Sequence, residues 1–183
     1  MTSVICGTLA HSEEAVALYP EREPKKRLGI PNRLFKEVLV PRATGTGKKR
    51  RRASGGAPSP FARPRGDRIE IGSEGVVASL IGQIARFDSK RYVSMPGPSL
   101  IRRKRIRHFV IVTDFIGSGD RIVNYLTSAW RVRSIRSWYS SKLVRFTVFA
   151  FAGTFDGIRR VQRHAASPTV IVARDPLHNI VAV

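Results

Sequence analysis

The chain has 183 residues, of which 33 are basic and 13 acidic, for a formal net charge of +20. That length allows one ordinary domain with a tail, and the charge draws phosphate-bearing partners through a salt-dependent field. A single cysteine, Cys6, excludes an internal disulfide and a cysteine-rich zinc site, the four histidines (His11, His108, His164, His178) lack metal-ligand spacing, and no apolar run nears the roughly 20 residues of a membrane span.

The N-terminus has no charged region followed by an apolar core, so it does not read as a signal peptide, and a cytoplasmic protein without membrane association is expected. Residues 1–65 carry 14 basic and 5 acidic residues and the remainder 19 and 8, so both parts are basic. An arginine-rich composition of the kind GC-rich coding produces accounts for this charge as well as a phosphate ligand does. Residues 1–65 do not read as a core and are expected to form a basic, largely disordered segment. Ser12 caps one or two helical turns through Leu18 that end before Pro20. Leu34, Phe35, Val38 and Leu39 suggest a second short amphipathic helix. Residues 45–64 then read as a flexible basic linker. Gly47-Lys48 invites a P-loop reading, but Arg42 stands where the first glycine is required and Lys49 replaces the Ser/Thr that would hold magnesium. The basic run 48–52 is a candidate nucleic-acid contact, set against a plain solvated linker.

From Gly66 the texture changes to alternating elements. Arg68 to Ile71 suggest a short strand. Gly72, Ser73, Glu74 and Gly75 turn into a helix with an apolar face at Val76, Val77, Leu80, Ile81 and Ile84, and Ser73 as cap. Residues 95–98 break the chain, and residues 102–107 form a dense cationic cluster, a second candidate for nucleic acid. Phe109 to Val112 lack polar alternation and read as a strand buried on both faces, from which Asp114 emerges. Gly117-Ser118-Gly119 lets backbone amides converge at the N-terminus of a helix packed through Ile122, Leu126, Ala129 and Trp130, a ready anion site. Leu143 to Ala152 form a second strand, Thr154 caps a helix, and Val170 to Val172 form a third strand. This alternation implies an α/β fold with a parallel, Rossmann-like sheet flanked by helices. Ligands of such sheets bind beyond the carboxyl ends of the strands, which puts Asp114, the 116–120 loop and the 152–156 turn on one rim.

Residues 109–120 resemble the phosphoribosyl-pyrophosphate (PRPP) loop of type I phosphoribosyltransferases, and the form at 114–119 resembles a divergent bacterial branch associated with defence systems and retrons. The resemblance covers about residues 66–183. It implies that Asp114 holds the ribose hydroxyls as the catalytic acid residue, and that Thr113, Phe115, Ile116, Gly117, Ser118, Gly119 and Asp120 hold the 5-phosphate. Gly72, Ser73, Glu74 and Gly75 fall where that family keeps its pyrophosphate loop. Mg2+ is implied as a cofactor carried on PRPP, with no metal site of the protein's own. Arg103, Lys104 or Arg105 would meet the departing pyrophosphate. Two residues depart from the pattern: Thr113 replaces the first of two adjacent acids, and Asp120 brings a negative charge to the phosphate loop.

Two functions follow from this resemblance. One is a transferase, in which a nitrogen nucleophile displaces pyrophosphate through an oxocarbenium-like transition state, helped by positioning and charge. The other is a non-catalytic module that senses PRPP, a nucleotide or nucleic acid, or a truncated and inactive transferase. Thr113, Asp120 and the little sequence after the third strand favour the second, because no base-binding hood is visible and the domain is expected to be incomplete at its C-terminal side.

Overall fold

In the computed structural model, which describes residues 14–42, 47–56, 58 and 73–174, the first element is a strand, β1 (Val16–Pro20). Its Val16, Ala17 and Leu18 are wholly buried and Tyr19 nearly so. Two small antiparallel hairpins follow: β2 (Lys26–Arg27) with β3 (Ile30–Pro31), and β4 (Lys36–Pro41) with β5 (Lys49–Ser54). Then come α1 (Ser73–Phe87), β6 (Tyr92–Ser94), α2 (Pro98–Arg103), β7 (His108–Ile116) and α3 (Asp120–Trp130). The described chain ends with α4 (Arg133–Ser140), β8 (Arg145–Gly153), α5 (Phe155–Gln162) and β9 (Thr169–Val172).

β6, β1, β7, β8 and β9 lie side by side in that order, and every neighbouring pair is parallel. Helices cover both faces. Val77, Ile81 and Ile84 of α1 pack on Val16, Leu18, Val110 and Val112. On the other face Ile101 of α2, Leu126 of α3, Ile135 of α4 and Val161 of α5 share a core with Tyr19, Phe109 and Val148. Each large apolar side chain so buried contributes about 1.5–3 kcal/mol. The chain leaves β1 toward β6 on one side and returns past it to β7 on the other, so the direction of winding reverses between β1 and β7. In open α/β sheets that reversal opens a crevice at the carboxyl ends of the two strands.

The expected strands at 109–113, 143–152 and 170–172 are β7, β8 and β9, adjacent and parallel, with the expected helices between them. Three expectations for residues 1–65 need correction. Residues 16–18 are a central strand rather than helical turns, because a short apolar run buried on both faces carries no periodicity that separates the two. Residues 36–41 form a strand rather than a helix. Lys49 to Ser54 pair with residues 36–41 across a hairpin rather than running as a linker. Ala53 explains the pairing: its N–H donates to Ser134 Oγ at 2.9 Å, and its carbonyl accepts from Arg102 Nη1 at 2.9 Å, which fixes the hairpin to α4 and α2. The strand expected at 68–71 lies outside the described residues.

Candidate functional site

Register sets the site. β1 pairs with β7 from Val16 opposite His108 to Pro20 opposite Val112, and the next amide, that of Glu21, donates to the Val112 carbonyl at 2.7 Å. Glu21 therefore sits across from Thr113 at the mouth of the crevice. Thr113 is buried, and its hydroxyl donates to Glu21 Oε2 at 2.9 Å. Arg121, in the first turn of α3, lies with Nε 2.9 Å from Glu21 Oε1 and reaches Glu74 of α1 through Nη2. The contact with Glu21 Oε1 is an ion pair out of line with the N–H direction, so this buried oxygen has no aligned hydrogen-bond donor among the described residues. Burial raises the carboxyl pKa of Glu21, while Arg121 and Thr113 oppose that rise.

Asp114 leaves the strand beside this pair, and its Oδ1 accepts the Phe115 amide at 2.8 Å. Ile116 is buried beneath the loop and acts through its backbone. Its carbonyl accepts the Thr154 amide at 2.9 Å, and the Gly117 carbonyl accepts the Thr154 hydroxyl at 2.7 Å. The carbonyls at the start of the loop are thus turned to α5, whereas the amides of Ser118, Gly119, Arg121 and Ile122 make no hydrogen bond among the described residues. That polarity, with the positive end of the α3 dipole, favours an anion.

Gly119 holds this turn at φ 78, a left-handed conformation that suits glycine, and a Cβ there would lie 2.7 Å from the Gly157 carbonyl oxygen. A Cβ on Gly157 would lie 1.9 Å from the Gly117 carbonyl oxygen. The loop and the first turn of α5 are in backbone contact, and both glycines make it possible. Gly117 differs: a Cβ there meets only the Phe115 ring, at 3.6 Å.

Asp120 opens α3, accepts the Ser118 hydroxyl at 3.0 Å, and pairs with Arg160 Nη2 at 2.5 Å. Its charge is therefore met by a cation of α5. A cleft of about 320 Å³ runs along Glu21, Asp114, Phe115 and the loop. A second cavity, of about 710 Å³, lies on the far side of Gly117 and Ser118 against Thr154, Arg159, Arg160 and Arg163.

Asp114, Phe115, Ile116, Gly117, Ser118, Gly119 and Asp120 all line the cleft, with Thr113 behind them. Gly72 lies outside the described residues, while Ser73, Glu74 and Gly75 open α1, whose Glu74 reaches the same rim through Arg121. Arg103, Lys104 and Arg105 do not reach it. Arg103 ends α2, and Lys104 and Arg105 follow it ahead of β7, toward the opposite end of that strand from Asp114. Sequence reasoning missed Glu21, Gly157 and Arg160; the βα turn after β8, with Thr154 as cap, was the available signal for the last two.

A parallel sheet bearing a carboxylate and an amide-lined loop at its point of reversal defines a Rossmann-like domain of the phosphoribosyltransferase type. The chain belongs to the PRTase-CE family, whose model matches residues 72–180. No curated protein and no solved structure matches the chain. The matched segment holds α1 through β9, while β1 and Glu21 fall before it. Among the described residues no helix is long and apolar enough to cross a membrane.

Proposed function

We propose that the cleft binds a 5-phosphorylated ribose, as PRPP or a nucleotide, with the phosphate on the 117–120 loop and the sugar hydroxyls on Asp114 and Glu21. One observation carries this reading. A buried carboxylate oxygen of Glu21, with no aligned donor among the described residues, stands beside Asp114 at the edge of a loop whose amides are open. A ribose hydroxyl can donate to the carboxylates that line the cleft, and a phosphate satisfies the amides. Phe115, 45% exposed, adds an apolar face beside them.

Magnesium fits this arrangement as an ion carried by PRPP. Among the described residues no three acidic, histidine or cysteine side chains converge. Asp114 at the cleft would supply one carboxylate, and Mg2+ ordinarily takes one or two alongside substrate phosphates. Its chemistry would be neutralisation of charge on the pyrophosphate. The protein's own contribution is positioning: the loop fixes the phosphate, and the carboxylates orient the ring.

The same binding serves transfer or sensing, and the Thr113 substitution together with a phosphate loop whose Asp120 already engages Arg160 favours sensing. The reading extends to the bacterial, cytoplasmic, defence-associated setting that the resemblance implies. Calorimetry of the full chain with PRPP should give saturable binding that magnesium strengthens, without pyrophosphate release when a purine or pyrimidine is added. No binding of PRPP or ribose 5-phosphate would refute the site. Pyrophosphate release that is lost in Asp114→Asn would make the protein a working transferase.

A further inference from the structure

The β4–β5 hairpin and α4 enclose a groove of about 790 Å³, remote from the ribose cleft in the sense that no residue lines both. Seven cationic side chains border it, among them Arg42, Arg50, Arg52, Arg102 and Arg133, and no carboxylate does. Glu37, the acid on the hairpin, is turned inward, where its Oε1 accepts the Ser134 amide at 3.0 Å. Arg102 is held in place by its bond to the Ala53 carbonyl, and its Nε is buried with no partner among the described residues. Burial lowers its pKa, and the like charges of Arg52 and Arg50 add to that.

The arrangement is ordered, because β5 is paired along its length with β4 and its cations are set at strand spacing. Residues two apart on a strand stand about 6.8 Å from one another, close to the separation of successive phosphates along an extended polynucleotide. Trp138 of α4 lines the groove beside them and offers a ring on which a base can stack. A duplex would leave such a ring idle, and a membrane surface would not follow a concave wall.

We infer that this groove is a binding surface for single-stranded nucleic acid, with the β5 arginines and Arg102 on the phosphates and Trp138 against a base. Of the two basic runs in the sequence, 48–52 gives the surface Lys49, Arg50, Arg51 and Arg52. From 102–107 only Arg102 joins it.

Fluorescence anisotropy of the full chain with a 12-nucleotide single-stranded RNA tests this. Binding should weaken with salt, with a slope of log affinity against log salt of about −3, as four or five phosphate contacts on a single strand require. The pair Arg50→Glu/Arg52→Glu should lose affinity at least tenfold, and Arg133→Glu, from a different element, at least threefold. The charge-matched pair Arg86→Glu/Lys90→Glu, exposed in the last turn of α1 and in the turn after it, should stay within about threefold. Trp138→Leu should weaken RNA severalfold and heparin hardly at all. Ribose 5-phosphate binding should be unchanged in Arg50→Glu/Arg52→Glu, which separates this surface from the cleft. Equal losses in both double variants would overturn the inference and reduce the attraction to net charge. Hairpin-dependent binding to phosphatidylserine vesicles with none to RNA would overturn it in favour of a membrane surface.

Discussion

The Thr113 hydroxyl donates to Glu21 Oε2 at 2.9 Å, across the seam between β7 and β1. Where the resembling transferases have two adjacent acids on one strand, this chain has one acid on that strand and a second from its neighbour, with a threonine tying them together. The seam is where the direction of winding reverses, so the two carboxylates stand at the mouth of the crevice.

Glu21→Gln should therefore weaken ribose 5-phosphate binding by roughly 1–3 kcal/mol, the size of a hydrogen bond to a charged group, while inorganic phosphate binding changes little. It should also change the response to pH. The folded state holds the Glu21 proton more tightly than the unfolded chain, so stability declines as pH rises from the ordinary glutamate range through the raised value. Urea unfolding of the wild type from pH 4 upward should carry that decline, and Glu21→Gln should lack it.

Gly157→Ala should disturb the loop more than Gly117→Ala, although only the latter lies in the sequence motif. The added methyl at 157 collides with the Gly117 carbonyl, and backbone must shift. Overpacking of this kind costs about 1–3 kcal/mol. Thermal unfolding and phosphate binding should both suffer at 157, whereas Gly117→Ala should stay within about 0.5 kcal/mol in stability.

Asp120→Thr removes a carboxylate that Arg160 now neutralises. It frees the arginine for the ligand and removes a negative charge from the phosphate loop, so PRPP should bind more tightly by roughly 1 kcal/mol. The double variant Asp120→Thr/Arg160→Gln should lose that gain. Isothermal titration of the three proteins checks both expectations.

His108 gives the molecule an acid-sensitive joint. Its Nε2 lies 2.8 Å from Thr147 Oγ1 at the start of β7 and β8, and burial, with Arg145 nearby, lowers its pKa to about 4. The unfolded chain takes up this proton before the folded one, so the contribution is fully present above about pH 6.5 and is lost as pH falls toward 4. It amounts to about 2 kcal/mol after allowance for solvent screening. Melting temperature should drop through that window, and His108→Gln should drop less steeply.

Much of the sheet and its helices was legible because β7, β8 and β9 are apolar runs and α3 and α5 carry periodic faces after a recognisable turn or cap. β1 was not, because five buried residues after Ser12 and two glutamates read equally well as a capped helix turn. The β4–β5 hairpin was hidden for a different reason. Only Ala53 of β5 is fully buried, and a strand of lysine and arginine has no apolar alternation to betray it. α4 likewise buries only Ser134 and Ile135 in eight residues. The loop residues 113–120 could be named from sequence because they are contiguous. Glu21, Gly157 and Arg160 belong to the site by register and by backbone contact, which only the assembled sheet reveals.

The central claim is that the β7 cleft recognises a phosphorylated sugar through separate seats for the phosphate and the hydroxyls. The affinities of wild type and Asp114→Asn for ribose 5-phosphate and for inorganic phosphate, measured side by side, test it most directly. Asp114→Asn should lose at least about tenfold for ribose 5-phosphate, roughly 1.4 kcal/mol, with inorganic phosphate within about twofold. Equal losses for both ligands, or none for either, would contradict it.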